Sequence, residues 1–239
     1  MKNTQVFAFL LCLLLAISSC QDPKIKGSGN VITQERPTAN FNQIELRAVG
    51  DVFVQKGSTT SVQVITDNNI QEYININTTG NTLVVSAEDN INLNPSSLEI
   101  HVVTPNIDKL ILSGSGTIST EGILTASALA TELTGSGKIT ATAQISGSTN
   151  VLLSGSGNVV LSGATQNIVA NLIGSGNIKA LSYPCQNASV LLPGSGNIEV
   201  APTDSLTGTL SGSGDVRYAG EPSVKNVTIT GSGQLVKVQ

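Results

Sequence analysis

This chain has no tryptophan, 3% aromatic residues, 12% charged residues and a single histidine. So little charge excludes the usual polyelectrolyte form of disorder. So few rings point to a thin, aliphatic core. The formal charge is −4 with no basic cluster, which excludes the electrostatic footprint of a nucleic-acid binder. Of three cysteines, Cys12 and Cys20 lie at the N-terminus and only Cys185 lies in the body. One thiol forms neither an internal disulfide nor a metal cluster. Cys185 follows Pro184 and reads as a passive thiol, because the sole His101 is far off in sequence and no base is evident. The apolar run Val6 to Ile17 is too short to span a membrane.

What the chain has instead is repetition. One phrase occurs seven times from Leu112 to Leu235: an aliphatic residue, any residue, Gly-Ser-Gly, any residue, an aliphatic residue. The copies begin at Gly114, Gly135, Gly155, Gly174, Gly194, Gly212 and Gly231. A period near 20 residues marks a solenoid, each repeat forming one coil of a stack. No helix signal interrupts it. The fold expected is all-β: a right-handed parallel β-solenoid (β-helix) of about 20 residues per coil, the hand following from parallel crossovers.

The aliphatic positions share one parity. Two residues before each first Gly stand Leu112, Leu133, Leu153, Leu172, Leu192, Leu210 and Ile229; four after it stand Ile118, Ile139, Val159, Ile178, Ile198, Val216 and Leu235. Equal parity on a strand means one face, so these residues point inward. The glycines share that parity and read as sites of bending or close backbone approach. The central serines then point out and align into a ladder, with a second outward column at Thr117, Lys138, Asn158, Asn177, Asn197, Asp215 and Gln234. Adjacent coils sit about 4.8 Å apart. Amides stacked at that spacing hydrogen-bond along the solenoid, or they present a flat polar face to a glycan or protein. The candidate binding face is Ser156, Asn158, Ser175, Asn177, Ser195 and Asn197.

Residues 1–19 read as a lipoprotein signal peptide, with Lys2 as its positive start and a lipobox-like end, Ala16-Ile17-Ser18-Ser19-Cys20. Cys20 is the expected lipidation site, several acyl chains giving stable anchoring where one is marginal. Residues 20–36 read as the lipidated Cys and a tether, although Gly27-Ser28-Gly29-Asn30-Val31 is an eighth copy of the phrase and reads equally as a paired strand. Residues 37–108 are strand-rich and read as an N-terminal cap continuous with the solenoid at 109–239. Within the cap, Gly50-Asp51-Val52-Phe53-Val54 resembles a degenerate repeat start, Thr66 to Tyr73 reads as a helical turn capped by Thr66 or Asp67, and Thr79-Gly80-Asn81 reads as a hairpin turn. Lys237 reads as a charge guarding the terminal strand.

The lipobox, the run Phe41-Asn42-Gln43-Ile44 … Gly50-Asp51-Val52, and the phrases at 174–178 and 194–198 together resemble the putative auto-transporter adhesin, head GIN domain family. The resemblance covers roughly Phe41 to Val236. It implies a right-handed β-helical body and an envelope or cell-surface location, and it carries over no catalytic residues.

The residues themselves point to no enzyme. From Gly114 onward the acids Glu121, Glu132, Glu199, Asp204, Asp215 and Glu221 occupy different coil positions. Neither a pair of catalytic carboxylates nor a converging calcium site follows from that spread. Gly-Ser-Gly lacks the Lys-Ser/Thr of a phosphate loop and the spacing of a nucleophile elbow. His101 sits in an alternating strand and reads as structural. Tyr183 and Tyr218, at different coil positions, make thin sugar platforms. The expectation is a non-enzymatic, lipid-anchored protein of the bacterial outer membrane, at the cell surface or the periplasmic face, acting as an adhesin or binding module. The alternatives are a structural envelope scaffold without ligand and, third, a carbohydrate-active β-helix enzyme. Expected partners are the membrane, through the lipid, and a surface glycan or protein. No nucleic acid, cofactor or metal is expected.

Overall fold

Alternating aliphatic residues every 20 positions leave each coil with one apolar side, and stacking the coils is how that side is buried. The computed structural model describes residues 23–238, so the stretch expected as a signal peptide and the expected lipidation site Cys20 lie outside the described residues. It is a β-solenoid of about six turns, roughly 20 residues apart. Long strands Leu124–Gly135, Lys138–Gly155, Asn158–Leu172, Asn177–Leu192 and Asn197–Leu210 follow one another in order. Each pairs in parallel with the next.

The register is the one the phrase predicts. Ile118, Ile139, Val159, Ile178, Ile198, Val216 and Leu235 lie directly above one another. So do Leu110, Thr131, Val151, Ala170, Val190, Gly208 and Val227. Leu112, Leu133, Leu153, Leu172, Leu192 and Leu210 are fully buried. The last coil keeps the inward register, with Val227 and Leu235 packed against the core, but its burial is incomplete. Ile229 is 44% exposed, and Val227 and Leu235 are half-buried, because that coil has a described neighbour on one side only. Lys237 lies on its outer strand, ion-paired with Glu221.

The solenoid begins earlier than the first Gly-Ser-Gly of the series. Strands Gln43–Leu46 and Asp51–Lys56 pair in parallel with Lys109–Leu112 and Thr117–Glu121, placing Val52 on Ile118. Residues 43–56 are therefore a coil, and the degenerate start at Gly50 is its corner. Strands Thr82–Ala87 and Leu98–Thr104 pair in parallel with its other side. The stacking order in space is thus 82–104, then 43–56, then 109–121. The chain lays down one coil, turns back to build the coil above it, and crosses over to continue below.

Antiparallel strands close that end. Ile74–Thr79 pairs with Thr82–Ala87, Ser61–Asp67 with Leu98–Thr104, and Val31–Glu35 with Ser61–Asp67. Lys24–Lys26 pairs in parallel with Asn92–Asn94. Of the stretch expected as a tether, these two N-terminal strands belong to the cap. The eighth phrase is no coil corner. Gly29 N donates to Asp67 Oδ1 at 2.7 Å, Ser28 N to Asn69 Oδ1 at 2.9 Å, and Ser28 Oγ to Asn68 Oδ1 at 2.6 Å. Asp67 and Thr66 cap no helix: both end the strand Ser61–Asp67, and a single 3-10 turn follows at Gln71–Tyr73 without a side-chain cap. Thr79–Thr82 is the hairpin turn expected, with Gly80 at φ 59°.

Candidate functional site

Gly-Ser-Gly forms one corner of each coil from 109 onward, and backbone packing explains its composition. Gly174 O accepts from both Ser195 N at 2.9 Å and Gly196 N at 3.1 Å. The same fork joins Gly155 O to Ser175 N and Gly176 N, both at 3.0 Å. Coils this close leave no space for a side chain. A Cβ on Gly176 or Gly196 would overlap the carbonyl oxygen of the corner beneath, Gly157 or Gly176 respectively.

The serine between the glycines has nowhere to point but out. Ser156, Ser175 and Ser195 are exposed, and among the described residues their hydroxyls have no hydrogen-bond partner. Beside them stand Asn158, Asn177 and Asn197, half-buried. Asn177 Nδ2 donates to Asn158 Oδ1 at 3.1 Å, and Asn197 Nδ2 to Asn177 Oδ1 at 3.2 Å. The line continues through backbone donors: Asp215 N to Asn197 Oδ1 at 3.1 Å and Gln234 N to Asp215 Oδ1 at 2.9 Å. All six candidate residues thus come together on one edge, in two columns of different character. The amides are bonded to each other, with one N–H left over on Asn177 and Asn197 and both on Asn158, while the hydroxyls are free.

A second ladder went unread in the sequence. Asn187 Nδ2 donates to Asn167 Oδ1 at 3.0 Å, and Ser205 Oγ to Asn187 Oδ1 at 2.7 Å. It runs along the other corner, where the strand registers shift between Val160 and Asn167 and between Cys185 and Asn187. Inside this corner, Tyr183 OH lies 2.9 Å from Thr149 Oγ1, which donates to Thr165 Oγ1 at 3.1 Å; Thr165 in turn reaches Asn167 O at 3.0 Å. Burial pushes the Tyr183 hydroxyl pKa up, although its bonds to Thr149 and Thr165 oppose that.

The remaining sequence candidates fall elsewhere. Tyr183 is fully buried and Tyr218 is 7% exposed, so neither offers a ring to a sugar. Cys185 is buried, and desolvation pushes its thiol up to about 12, where thiolate is negligible at neutral pH. His101 stacks on Phe53 with ring centroids 4.9 Å apart, its Nε2 3.3 Å from Glu99 Oε2. Glu132 pairs with Lys109 at 2.7 Å. Among the described residues, no three His, Cys, Asp or Glu side chains gather as metal ligands do.

The model of the family described as "Putative auto-transporter adhesin, head GIN domain" matches residues 40–222. Among solved structures, a putative adhesin from Bacteroides fragilis superposes with TM-score 0.84 at 24% identity, covering 90% of this chain and all of that one. A putative lipid binding protein from Parabacteroides distasonis superposes with TM-score 0.70 at 23% identity, with the same coverage. A putative adhesin from Parabacteroides merdae follows with TM-score 0.65 at 21% identity, covering 91% of this chain and all of that one. At these identities the likeness is one of fold. No curated protein matches.

Proposed function

Because the chain belongs to the putative auto-transporter adhesin, head GIN domain family, we propose that it is a non-enzymatic binding module of the bacterial envelope. It is held in the outer membrane through acylated Cys20 and contacts its target with the Gly-Ser-Gly edge. The observation that carries this reading is the row of free, outward serine hydroxyls at Ser156, Ser175 and Ser195. The bonded Asn158, Asn177 and Asn197 column stiffens that row. Hydroxyls held at a fixed repeat meet a repeating partner without the ordering cost of a loop. A surface glycan or a protein strand has such a repeat.

One observation favours the scaffold reading. The asparagine amides are already hydrogen-bonded along the stack, which is what a ladder serving stability alone would do. The triple variant Ser156→Ala, Ser175→Ala, Ser195→Ala separates the two, because it removes the free hydroxyls and leaves the ladder. Cells bearing wild type or variant are measured for attachment to immobilised glycans and glycoproteins, after protease treatment of intact cells has established that the protein is exposed. The binding reading expects at least a tenfold loss of attachment at an unchanged melting temperature. Equal attachment, or a protein cut only once the cells are opened, leaves the scaffold.

A further inference from the structure

A cleft of about 600 Å³ lies where the cap meets the first coils, within the ~300–1,000 Å³ of small-molecule sites. Asn40, Asn42, Asn81, Asn106, Asp108 and Ser127 line it. These residues come from four separate stretches: the entry into the coil at 43–56, the Thr79–Thr82 turn, the crossing segment 105–108, and the irregular pairing at 126–128. Backbone bonds pin the walls. Asn42 N and Gln43 N both donate to Asn81 O at 3.1 Å, Asp108 N to Asn42 O at 2.9 Å, and Ala130 N to Asp108 O at 2.8 Å. The cleft is therefore preformed and depends on the crossover that builds the cap.

Its polar groups are only partly satisfied by the protein. Asn42 Nδ2 donates to Asp108 Oδ2 at 2.6 Å, yet Asn42 Oδ1 is buried with no partner. That oxygen is sealed from solvent, so it belongs to the wall of the cleft and the open polar groups are those of its neighbours. Among the described residues the side chains of Asn81, Asn106 and Ser127 make no hydrogen bond.

The chemistry of the lining selects a ligand class. No Lys or Arg borders the cleft, so an anion finds no countercharge. One carboxylate, already bonded to Asn42, is too few for a divalent cation, which gathers several oxygens. The one aromatic ring in the lining, Phe41, is 5% exposed, and Pro105 is the other apolar member among mostly polar residues, so no broad apolar floor receives a hydrocarbon. Side-chain amides and hydroxyls offer donors and acceptors side by side, and that matches hydroxyl groups, which are both.

We propose that this cleft binds a neutral polyhydroxylated ligand, the end of a saccharide chain, with the exposed Asn40, Asn81, Asn106 and Ser127 meeting its hydroxyls. The site is separate from the serine edge and does not rest on it. The test is a ¹H–¹⁵N NMR titration of the full chain with glucose, galactose and N-acetylglucosamine and their β1,4-linked trisaccharides. At least one probe is expected to give saturable shifts in the Asn40, Asn81 and Asn106 side-chain amides. The double variant Asn81→Ala, Asn106→Ala is expected to weaken that binding tenfold or more; both residues are exposed, and unchanged signals from the distant coils report an intact fold. The proposal is overturned by the absence of saturable shifts with all six probes at millimolar concentration, by shifts that survive the double variant, or by the same shifts on adding calcium chloride alone. The triple serine variant leaves this titration unchanged, so loss of edge binding and loss of cleft binding are told apart.

Discussion

The coils from 109 onward and the cap at 24–108 share one stacked core but are held by opposite means. In the coils, sequence order is stacking order, every pairing is parallel, and bonds repeat from coil to coil. In the cap, stacking order departs from sequence order, antiparallel strands close the end, and individual side chains do the joining. Asp67, fully buried, gathers Gly29 N, Ser96 N and Ser96 Oγ, each at 2.7 Å. Gln71 donates to both Ile32 O and Val64 O at 3.0 Å. Even the corners differ. Where the coils have Gly-Ser-Gly, the coil at 43–56 has Ala48-Val49-Gly50, with Gly50 at φ 114° against Leu98. A repeating contact needs the same residue in every copy, whereas a unique contact needs its partner once.

This difference is broken most severely at a mid-stack corner. Gly196→Ala puts a methyl into the Gly176 carbonyl and is expected to cost at least about 3 kcal/mol, the upper range for overpacking. Gly80→Ala, in the cap, meets open space and only the strain of φ 59°, a cost of about 1–2 kcal/mol. Urea denaturation of the two variants reads the contrast, and equal losses would dissolve it.

A middle-sized effect is expected at Asp67. The hydroxyl and backbone bonds from Ser96, with that from Gly29, hold its pKa below the ordinary 3.8 against the opposing effect of burial. A carboxylate depressed in the folded state stabilises above its unfolded pKa, and that stability is lost as pH falls through the lower folded value. Acid below about pH 4 is thus expected to loosen the cap before the coils. In Asp67→Asn the amides of 24–35 should exchange faster at neutral pH, and the acid-dependent step should vanish. Uniform protection across cap and coils at pH 3 would refute this.

The smallest effect is expected in the ladder. Asn177→Ala removes two side-chain bonds, each worth about 0.5–1.5 kcal/mol net. Because Asn158 and Asn197 are half-exposed, water replaces much of the loss, and a destabilisation of about 1 kcal/mol is expected from thermal melts. A loss as large as that of Gly196→Ala would place the strength of the edge in its side chains instead of its backbone.

The coils were legible because their contacts recur. Parity placed Leu133 and Ile139 inside and Ser156 outside, and the phrase aligned Asn158, Asn177 and Asn197 before any coordinates. The second ladder escaped because Asn167, Asn187 and Ser205 stand 12, 13 and 11 residues after Gly155, Gly174 and Gly194. The register shifts there absorb the differences, so no fixed spacing marks the column. Residues 27–31 left two readings open, and the structure takes the paired strand from Val31 onward; the same Gly-Ser-Gly that elsewhere lies on another glycine here lies on Asp67 and Asn69.

By itself, the sequence determined the coil. A 20-residue period of inward aliphatics, with glycine wherever two backbones nearly touch, admits one kind of stack, since each coil meets a copy of itself. The tertiary structure alone decided how the stack ends. The return of 82–104 above 43–56, the seating of the N-terminal strands on Asp67, and the cleft at Asn42 and Asp108 each join segments distant in sequence and unlike in pattern. Local periodicity carries no record of such partners, because their fit is settled only when the chain closes on itself.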